Sequence, residues 1–245
     1  MKRLVSLFLG CVAVILLNGC VTDQHRSAGE DVLTAASVTN EDLIQLSKEM
    51  RAVGDKENKV APANSKYAQR LARMTDKLKK EDGLDLNFKV YLTRDINANA
   101  TADGSIRVYS GLMDIMTDNE LFYVIGHEIG HVKNEDALKQ IRTAYLSSGI
   151  IKAAGASSKA IGTLTDSQLG DLLKAVINAQ YSQKAEYDAD LHGYNMMKKY
   201  KINTSAAVSA LRKIDSLGKS GGVLASHPNS ADRANKLAEL IKSGK

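Results

Sequence analysis

The chain has 245 residues, of which 44% are hydrophobic and 25% charged, enough for one folded domain with a short tail and unlike a disordered protein. The formal charge is +5 and no dense basic stripe occurs, which excludes an electrostatic case for nucleic-acid binding. Both cysteines, Cys11 and Cys20, stand near the start. A disulfide scaffold or a cysteine-based zinc finger is therefore excluded from the rest of the chain.

The first residues are typical of a bacterial lipoprotein signal. A basic start precedes an almost wholly apolar run, and the run ends in Leu17-Asn18-Gly19-Cys20, which resembles a lipobox. We predict a signal peptide over residues 1–19, lipidation of Cys20 and a polar tether over residues 20–38. An uncleaved membrane anchor is the alternative.

The residue after the lipidation site predicts the destination. Val21, rather than an aspartate, follows Cys20. By resemblance to Gram-negative sorting signals, this favours the outer membrane, with the protein facing the periplasm. A thiol that carries two or more acyl chains provides a stable anchor.

Residues 39–245 are predicted to form one domain of the α+β class, mostly helical with a small β-sheet. Helices are predicted, in chain order, at 39–55, 65–80, from Thr117 onward, at 165–200, 204–217 and 230–242. Strands are predicted at Leu86–Leu92, where apolar and polar residues alternate, and at Ile106–Tyr109. The small-residue segment 135–163 is predicted as a buried or lid helix, because two lysines interrupt it.

The most informative segment is His127-Glu128-Ile129-Gly130-His131. On a helix, residues four apart share a face, so both imidazoles can reach one metal ion. Glu128 can reach a metal-bound water, which is the H-E-x-x-H arrangement of zinc peptidases. Two unrelated helix histidines are the alternative interpretation.

A third ligand is available downstream, in Ala185-Glu186-Tyr187-Asp188-Ala189-Asp190. Glu186 and Asp190 share a helix face, where a glutamate suits direct ligation and an aspartate suits a bond to the other nitrogen of a ligand histidine. Asp188 with His192 is the competing pair at the same spacing. Three protein ligands would leave one position open for water, as in catalytic zinc sites.

Further motifs accompany these residues over roughly residues 60–240. They are Ala61-Pro62-Ala63-Asn64-Ser65, Asn97-Ala98-Asn99-Ala100 before Gly104, residues 106–114, Met116-Thr117-Asp118-Asn119-Glu120, Gly193 after Asp190, and His227-Pro228 with Arg233. On this set the chain resembles the HtpX/BepA/Oma-type zinc metallopeptidases, a gluzincin family, and among them the outer-membrane lipoprotein peptidases.

The resemblance implies a zincin-like metallopeptidase domain that holds one Zn²⁺ per chain. It assigns the zinc to His127, His131 and Glu186, general base and acid catalysis to Glu128, and supporting positions to Asp190, Arg233 and Asn97. It places His227 at the cleft, either assisting a tetrahedral intermediate or sitting on the metal in a closed state.

The expected activity is endoproteolysis of unfolded or misassembled envelope proteins. The strand near Val108 is predicted to offer an edge on which an extended substrate backbone pairs, which would give loose sequence preference. Partners would be polypeptide substrates, the membrane through the lipid, and other envelope proteases or assembly factors. The alternatives are a latent zinc-binding or chaperone-like lipoprotein, a structural envelope lipoprotein and a wall-hydrolysing amidase.

Overall fold

The computed structural model describes residues 38–148, 163–217 and 226–244. The predicted signal, Cys20 and nearly all of the tether lie outside this part of the chain. So do residues 149–162 of the predicted buried or lid helix. Within the described ranges, no helix is both long and apolar enough to cross a bilayer.

Helices dominate the described chain, and three short strands form its sheet. The helices are α1 (Asn40–Glu57), α2 (Lys66–Thr75), α3 (Ser110–Ile115), α4 (Asp118–Lys133), α5 (Asp136–Ser147), α6 (Asp166–Asn178), α7 (Gln183–Lys199), α8 (Ser205–Ser216) and α9 (Ser230–Lys242). Two 3₁₀ turns, Asp76–Leu78 and Glu81–Gly83, lead to strands β1 (Asn87–Tyr91), β2 (Ala98–Ala100) and β3 (Ser105–Tyr109). The predicted α+β class is confirmed.

The sheet has the order β1-β3-β2, so β3 is its central strand. Val108 pairs with Val90 on the parallel side and with Ala98 on the antiparallel side. The prediction of a free edge at Val108 is therefore wrong. β2 occupies an edge position instead, and its Ala-Asn-Ala sequence carries no β-branched or aromatic residue that predicts a strand.

The alternation in β1 predicted that Tyr91 faces solvent, yet Tyr91 is only 1% exposed. The reason is α1, which covers the second face of the sheet. The Asp55 carboxylate of α1 accepts hydrogen bonds from the Tyr91 hydroxyl at 2.7 Å and from the Arg107 Nε at 2.8 Å. When both faces of a sheet are covered, the alternation of apolar and polar residues no longer shows which side chains are exposed.

Helix starts follow the sequence closely. The helix predicted from Thr117 begins with a capping box, in which the Thr117 side chain accepts from the Glu120 N–H and the Glu120 side chain accepts from the Thr117 N–H. The same reciprocal cap starts α1 at Thr39 and α6 at Thr165. These caps satisfy peptide donors that lack partners within the helix.

The single helical stretch predicted over 165–200 is wrong. Two helices, α6 and α7, are separated by residues 179–182, and the Ser182 hydroxyl accepts from the Ala185 N–H to start α7. The sequences of α6 and α7 both have helical periodicity, so the hydrophobic pattern did not indicate that the helix is interrupted between them. The serine cap decides where the second helix begins.

The apolar residues form two separate cores. The sheet core gathers the strands with α4, the C-terminal half of α7, α8 and α9. The three-helix core is built from α1, α5 and α6, with Leu46, Met50, Ile141, Tyr145 and Leu173 among its buried members. The described part of segment 135–163, helix α5, thus belongs to a buried interface.

Helices α4 and α7 pack backbone against backbone. A Cβ atom at Gly126 would lie 3.0 Å from the Gly193 Cα, and one at Gly130 would lie 3.0 Å from the Ala189 Cα. Only residues without bulk permit this approach. It brings the first turns of α7 onto the face of α4 that carries His127 and His131.

Candidate metal centre

Four buried side chains converge where α4, α7 and the start of α9 meet. His127 and His131 come from α4, Glu186 comes from α7, and His227 lies just before α9. One ligand atom of each residue lies within 4.8 Å of those of the others. The structure thus brings together the three predicted metal ligands and adds His227 to them.

Each α4 histidine is oriented by a carboxylate at its Nδ1 atom. His127 Nδ1 lies 2.9 Å from Asp190 Oδ1, and His131 Nδ1 lies 3.2 Å from Asp136 Oδ2. A carboxylate acceptor places the ring proton on Nδ1 and leaves Nε2 with its lone pair. The two Nε2 atoms consequently face one another at 3.0 Å.

Facing lone pairs at this distance require a positive charge between them. Burial opposes protonation of His131, yet its hydrogen bonds to Asp136 and Glu186 raise its pKa to about 9. Burial lowers the pKa of the neighbouring His127. A divalent ion held by nitrogen and carboxylate ligands would supply such a positive charge.

Asp190 is held as an anion beneath His127. Arg233 donates to both of its oxygens, Nε to Oδ2 at 2.8 Å and Nη2 to Oδ1 at 2.6 Å, and the Tyr123 hydroxyl donates to Oδ1 at 2.6 Å. Burial opposes its ionisation, but the hydrogen bonds from Arg233 and His127 hold the pKa of Asp190 well below its usual range. The supporting positions predicted for Asp190 and Arg233 agree with this geometry.

Glu186 is the fully buried carboxylate of the cluster. Its Oε1 atom lies 2.9 Å from His227 Nδ1 and 3.5 Å from His131 Nε2, and Arg233 contacts Oε2. Burial opposes its ionisation, but the charges and hydrogen bonds of His227 and His131 hold its pKa well below its usual range. Glu186 is thus ionised and points into the cluster.

Glu128 lies beside the cluster rather than in it. It is 1% exposed, its Oε1 lies 3.5 Å from His227 Nε2, and its Oε2 has no hydrogen-bond partner among the described residues. Leaving a buried carboxylate oxygen without a partner costs free energy. This atom can therefore accept a proton or a hydrogen bond from a water molecule. The small cavity next to it is lined by apolar Val124, Leu211 and Ile214.

The competing pair, Asp188 and His192, points away from the cluster. Asp188 is exposed and contacts Lys184 on the same helix. His192 places Nδ1 2.8 Å from the Gly126 carbonyl oxygen and Nε2 2.7 Å from Asp82 Oδ2. Both are bound elsewhere, which favours Glu186 as the helix-face argument predicted.

Asn97 does not join the four converging residues. It lies directly before β2, is 7% exposed, and its side-chain Oδ1 has no hydrogen-bond partner in the part of the chain that the structure describes. Its backbone carbonyl accepts from the Tyr109 N–H at 3.0 Å, which closes the β2–β3 ladder. The structure thus places Asn97 at the start of the edge strand, and its supporting role in the metal site stays a prediction.

Sequence reasoning missed Asp136, Tyr123 and Tyr181. Asp136 follows His131 by five residues, beyond the helix end, so no helical spacing pointed to it. Tyr123 is one turn before His127 on α4 and was detectable as a neighbour on the same face. Tyr181 lies in the unpredicted break between α6 and α7.

These features define the class: a helical metalloprotease whose H-E-x-x-H helix meets a glutamate from a second helix. The model of peptidase family M48 matches residues 64–241, and the chain belongs to that family. It is 37% identical to "Metalloprotease YcaL" of Escherichia coli K12, over the full length of both chains. It is 34% identical to "Metalloprotease LoiP" of the same strain, over 97% of each chain.

A more distant relative matches a smaller part of the chain. The "Protease HtpX homolog" of Methanopyrus kandleri is 30% identical over 63% of this chain and 54% of its own length. The resemblance predicted from the motifs is therefore confirmed at the level of the family, and the chain is a metalloprotease.

Proposed function

We propose that this metalloprotease is a zinc endopeptidase, anchored by lipid to the bacterial outer membrane, that cleaves unfolded or misassembled envelope proteins. The observation that carries the proposal is the pair of His127 and His131 Nε2 atoms facing one another beside the ionised Glu186. Two imidazoles and one carboxylate are a typical catalytic ligand set for zinc.

The residues of the cluster have different roles in the proposed peptide hydrolysis. His127, His131 and Glu186 would hold the zinc ion, which when bound acidifies water and polarises the scissile carbonyl. Glu128, through its unpaired Oε2, accepts the proton of the attacking water and donates it to the leaving amine. Asp190 and Asp136 keep His127 and His131 in the required tautomer.

The decisive experiment compares wild type with Glu128→Gln. We expect the variant to keep one zinc per chain and to lose about 100-fold or more of its cleavage of unfolded casein. Glu239→Gln, an exposed substitution on α9, is the matched control and should leave both quantities unchanged. Loss of zinc together with activity would contradict the role assigned to Glu128.

The edge strand β2 supports an added-strand mode of substrate binding. Asn97 and Thr101 form ladder bonds with β3, so the peptide groups of Ala98 and Ala100 point away from the sheet. Ala98 and Ala100 are 0% and 4% exposed, so the parts of the protein that bury β2 must move before a substrate strand can pair with it. Ala100→Pro removes one outward N–H and should raise KM with little change in kcat.

His227 lies beside the candidate ligands and Glu128, with its Nε2 atom 3.5 Å from Glu128 Oε1. Its Nδ1 lies 3.2 Å from His127 Nε2 and 2.9 Å from Glu186 Oε1, which is a ligand position in a resting state. With substrate bound, the same imidazole would donate to the oxyanion. His227→Ala then lowers kcat roughly 10- to 1000-fold at unchanged zinc content, whereas increased activity would identify a latch.

The proposed anchor is Cys20, since it provides the one thiol that remains after cleavage at residue 19. Cys20→Ala should leave the membrane fraction or accumulate as an uncleaved precursor, while the purified protein still cleaves peptides. A processed Cys20→Ala protein that sediments with outer membranes would contradict the anchor. Fractionation with and without detergent measures it.

A second candidate function is a latent zinc-binding or chaperone-like lipoprotein with little peptidase activity. The observation that favours it is the closed arrangement, with His227 among the ligands and β2 buried. Cleavage of casein that a chelator stops and zinc restores would exclude this candidate. Zinc bound at one ion per chain without any cleavage would support it.

A further inference from the structure

Tyr181 lies in the break between α6 and α7, and its ring is stacked on the imidazole of His131. The two ring centroids are 3.7 Å apart and the ring planes differ by 7°. No role in the reaction has so far been assigned to this side chain. No ring of the described residues stacks in this way on the other candidate ligand of α4, His127. The ring of Tyr123 is 6.3 Å away and tilted by 48°, and that of His227 is 5.0 Å away at an interplanar angle of 67°.

The backbone around Tyr181 is fixed by contacts on three sides. The Tyr181 N–H donates to the Ser226 carbonyl at 3.2 Å, next to His227. Gln140 Nε2 of α5 donates to the Ala179 carbonyl at 3.1 Å, and Ser182 caps α7. The phenol ring is therefore presented to His131 from a rigid segment.

A single hydrogen bond does not fix the plane of an imidazole. The bond from His131 Nδ1 to Asp136 sets the tautomer and the direction of the ring, but the ring can still tilt about that bond. A flat neighbour at stacking distance removes the tilt.

The position of Tyr181 also separates the cluster from solvent. A groove of about 420 Å³ runs between α5 and the end of α6, and Asp136, Gln140 and Tyr181 are among its lining residues. Without the ring, water in this groove would reach the face of His131. Burial, together with the charges of Glu128 and Glu186, raises the pKa of Tyr181 well above its usual value, so the ring stays neutral.

From these contacts we infer that Tyr181 is a positioning residue for the metal centre: its aromatic ring, and not its hydroxyl, holds the plane of His131 so that Nε2 stays aimed at the ion. The inference rests on the proposed zinc site. It predicts that any flat aromatic ring suffices at this position and that an aliphatic side chain does not.

The test compares Tyr181→Phe with Tyr181→Leu in the full chain. Zinc affinity is measured by competition with a chromophoric chelator, and the visible spectrum of the cobalt-substituted protein reports ligand geometry. We expect Tyr181→Leu to weaken zinc binding roughly 10- to 100-fold and to alter the cobalt spectrum. Tyr181→Phe should match wild type in both measurements.

Tyr187→Leu is the matched control, because this tyrosine lies six residues after Tyr181, on α7, and its ring contacts Lys236 instead of the cluster. If Tyr181→Leu does not fold, Tyr181→Met, which fills the space without a ring, takes its place. Equal zinc affinity in wild type and the aliphatic variant would overturn the inference, as would a loss in Tyr181→Phe as large as that in Tyr181→Leu. A wild-type protein that binds no zinc would instead overturn the proposed function.

Discussion

The sheet core and the three-helix core are assembled by different means. In the sheet core, α4 and α7 meet through glycines and a chain of buried charges that ends at the metal ligands. The three-helix core has an ordinary apolar interior, and α1 contacts the sheet through two polar side chains, the buried Arg51 and the half-buried Asp55. Backbone contact and charge fix the site, whereas apolar burial holds the helices that cover the sheet.

The largest effect that separates the two regions is expected from Glu186→Ala. Removing a carboxylate ligand should weaken zinc binding by more than about 100-fold, the upper range for residues that only support a ligand. Asp188→Ala is the matched control, because Asp188 is exposed and contacts Lys184 alone in the described chain. Equal losses in both variants, measured by zinc titration, would contradict the helix-face assignment.

Asp55→Asn is expected to destabilise the fold without changing the metal site. It removes the countercharge of Arg107, which is 2% exposed, and should cost roughly 3 kcal/mol in the free energy of unfolding. Zinc affinity of the folded protein should stay the same. Asp171→Asn, at an exposed position on α6, is the control.

Wild type and Asp55→Asn should also differ in how the free energy of unfolding depends on pH. Burial opposes ionisation of Asp55, but hydrogen bonds from Arg107, Lys89 and Tyr91 hold its pKa well below its usual range. A depressed folded-state pKa stabilises the fold above the unfolded pKa of about 4 and loses that contribution as pH falls further. We therefore expect the difference in the free energy of unfolding between wild type and Asp55→Asn, measured by urea unfolding, to decrease at acid pH.

Gly193→Ala and Gly54→Ala compare tight contacts in the two regions. A Cβ at Gly193 meets the Tyr123 carbonyl oxygen at 3.0 Å, whereas one at Gly54 meets the end of the Leu173 side chain at 2.5 Å. The backbone of Tyr123 cannot move away from an added methyl group as easily as the Leu173 side chain can. Gly193→Ala should cost roughly 1–2 kcal/mol and weaken zinc binding, while Gly54→Ala should be milder and leave zinc binding intact.

The smallest effect is expected from Glu120→Gln, at the start of α4. Burial opposes ionisation of Glu120, but Lys213, Ser209 and Thr117 lower its pKa to about 2. The stabilisation is complete above the unfolded pKa of about 4.3 and is lost as pH falls towards the folded value. We expect a loss of about 1 kcal/mol at pH 7 that shrinks in acid; a constant difference would contradict this linkage.

Local signals predicted much of the chain correctly. The helix starts predicted near Thr39, Thr117 and Thr165 coincide with capping boxes in the structure, in which a side chain three residues away satisfies each cap. The i and i+4 spacing of His127 with His131, and of Glu186 with Asp190, places each pair on one helix face. These features depend on neighbours in sequence and are readable there.

The failures share a cause, which is dependence on distant contacts. The edge predicted at Val108 belongs to a central strand, because β2 pairs with β3 from a segment without strand propensity. The break before Ser182 interrupts a continuous helical pattern. Tyr91 is buried because α1, more than thirty residues earlier, supplies Asp55 as its partner.

For the site, the sequence by itself determined the ligand types, their helix faces and the family they indicate. Only the tertiary structure decided that His227 enters the cluster from 96 residues beyond His131 and that Asp136 and Tyr181 contact His131. Helical periodicity is a local property of the backbone. The convergence of these groups depends on how closely α4 and α7 pack, which the pairing of Gly126 with Gly193 sets.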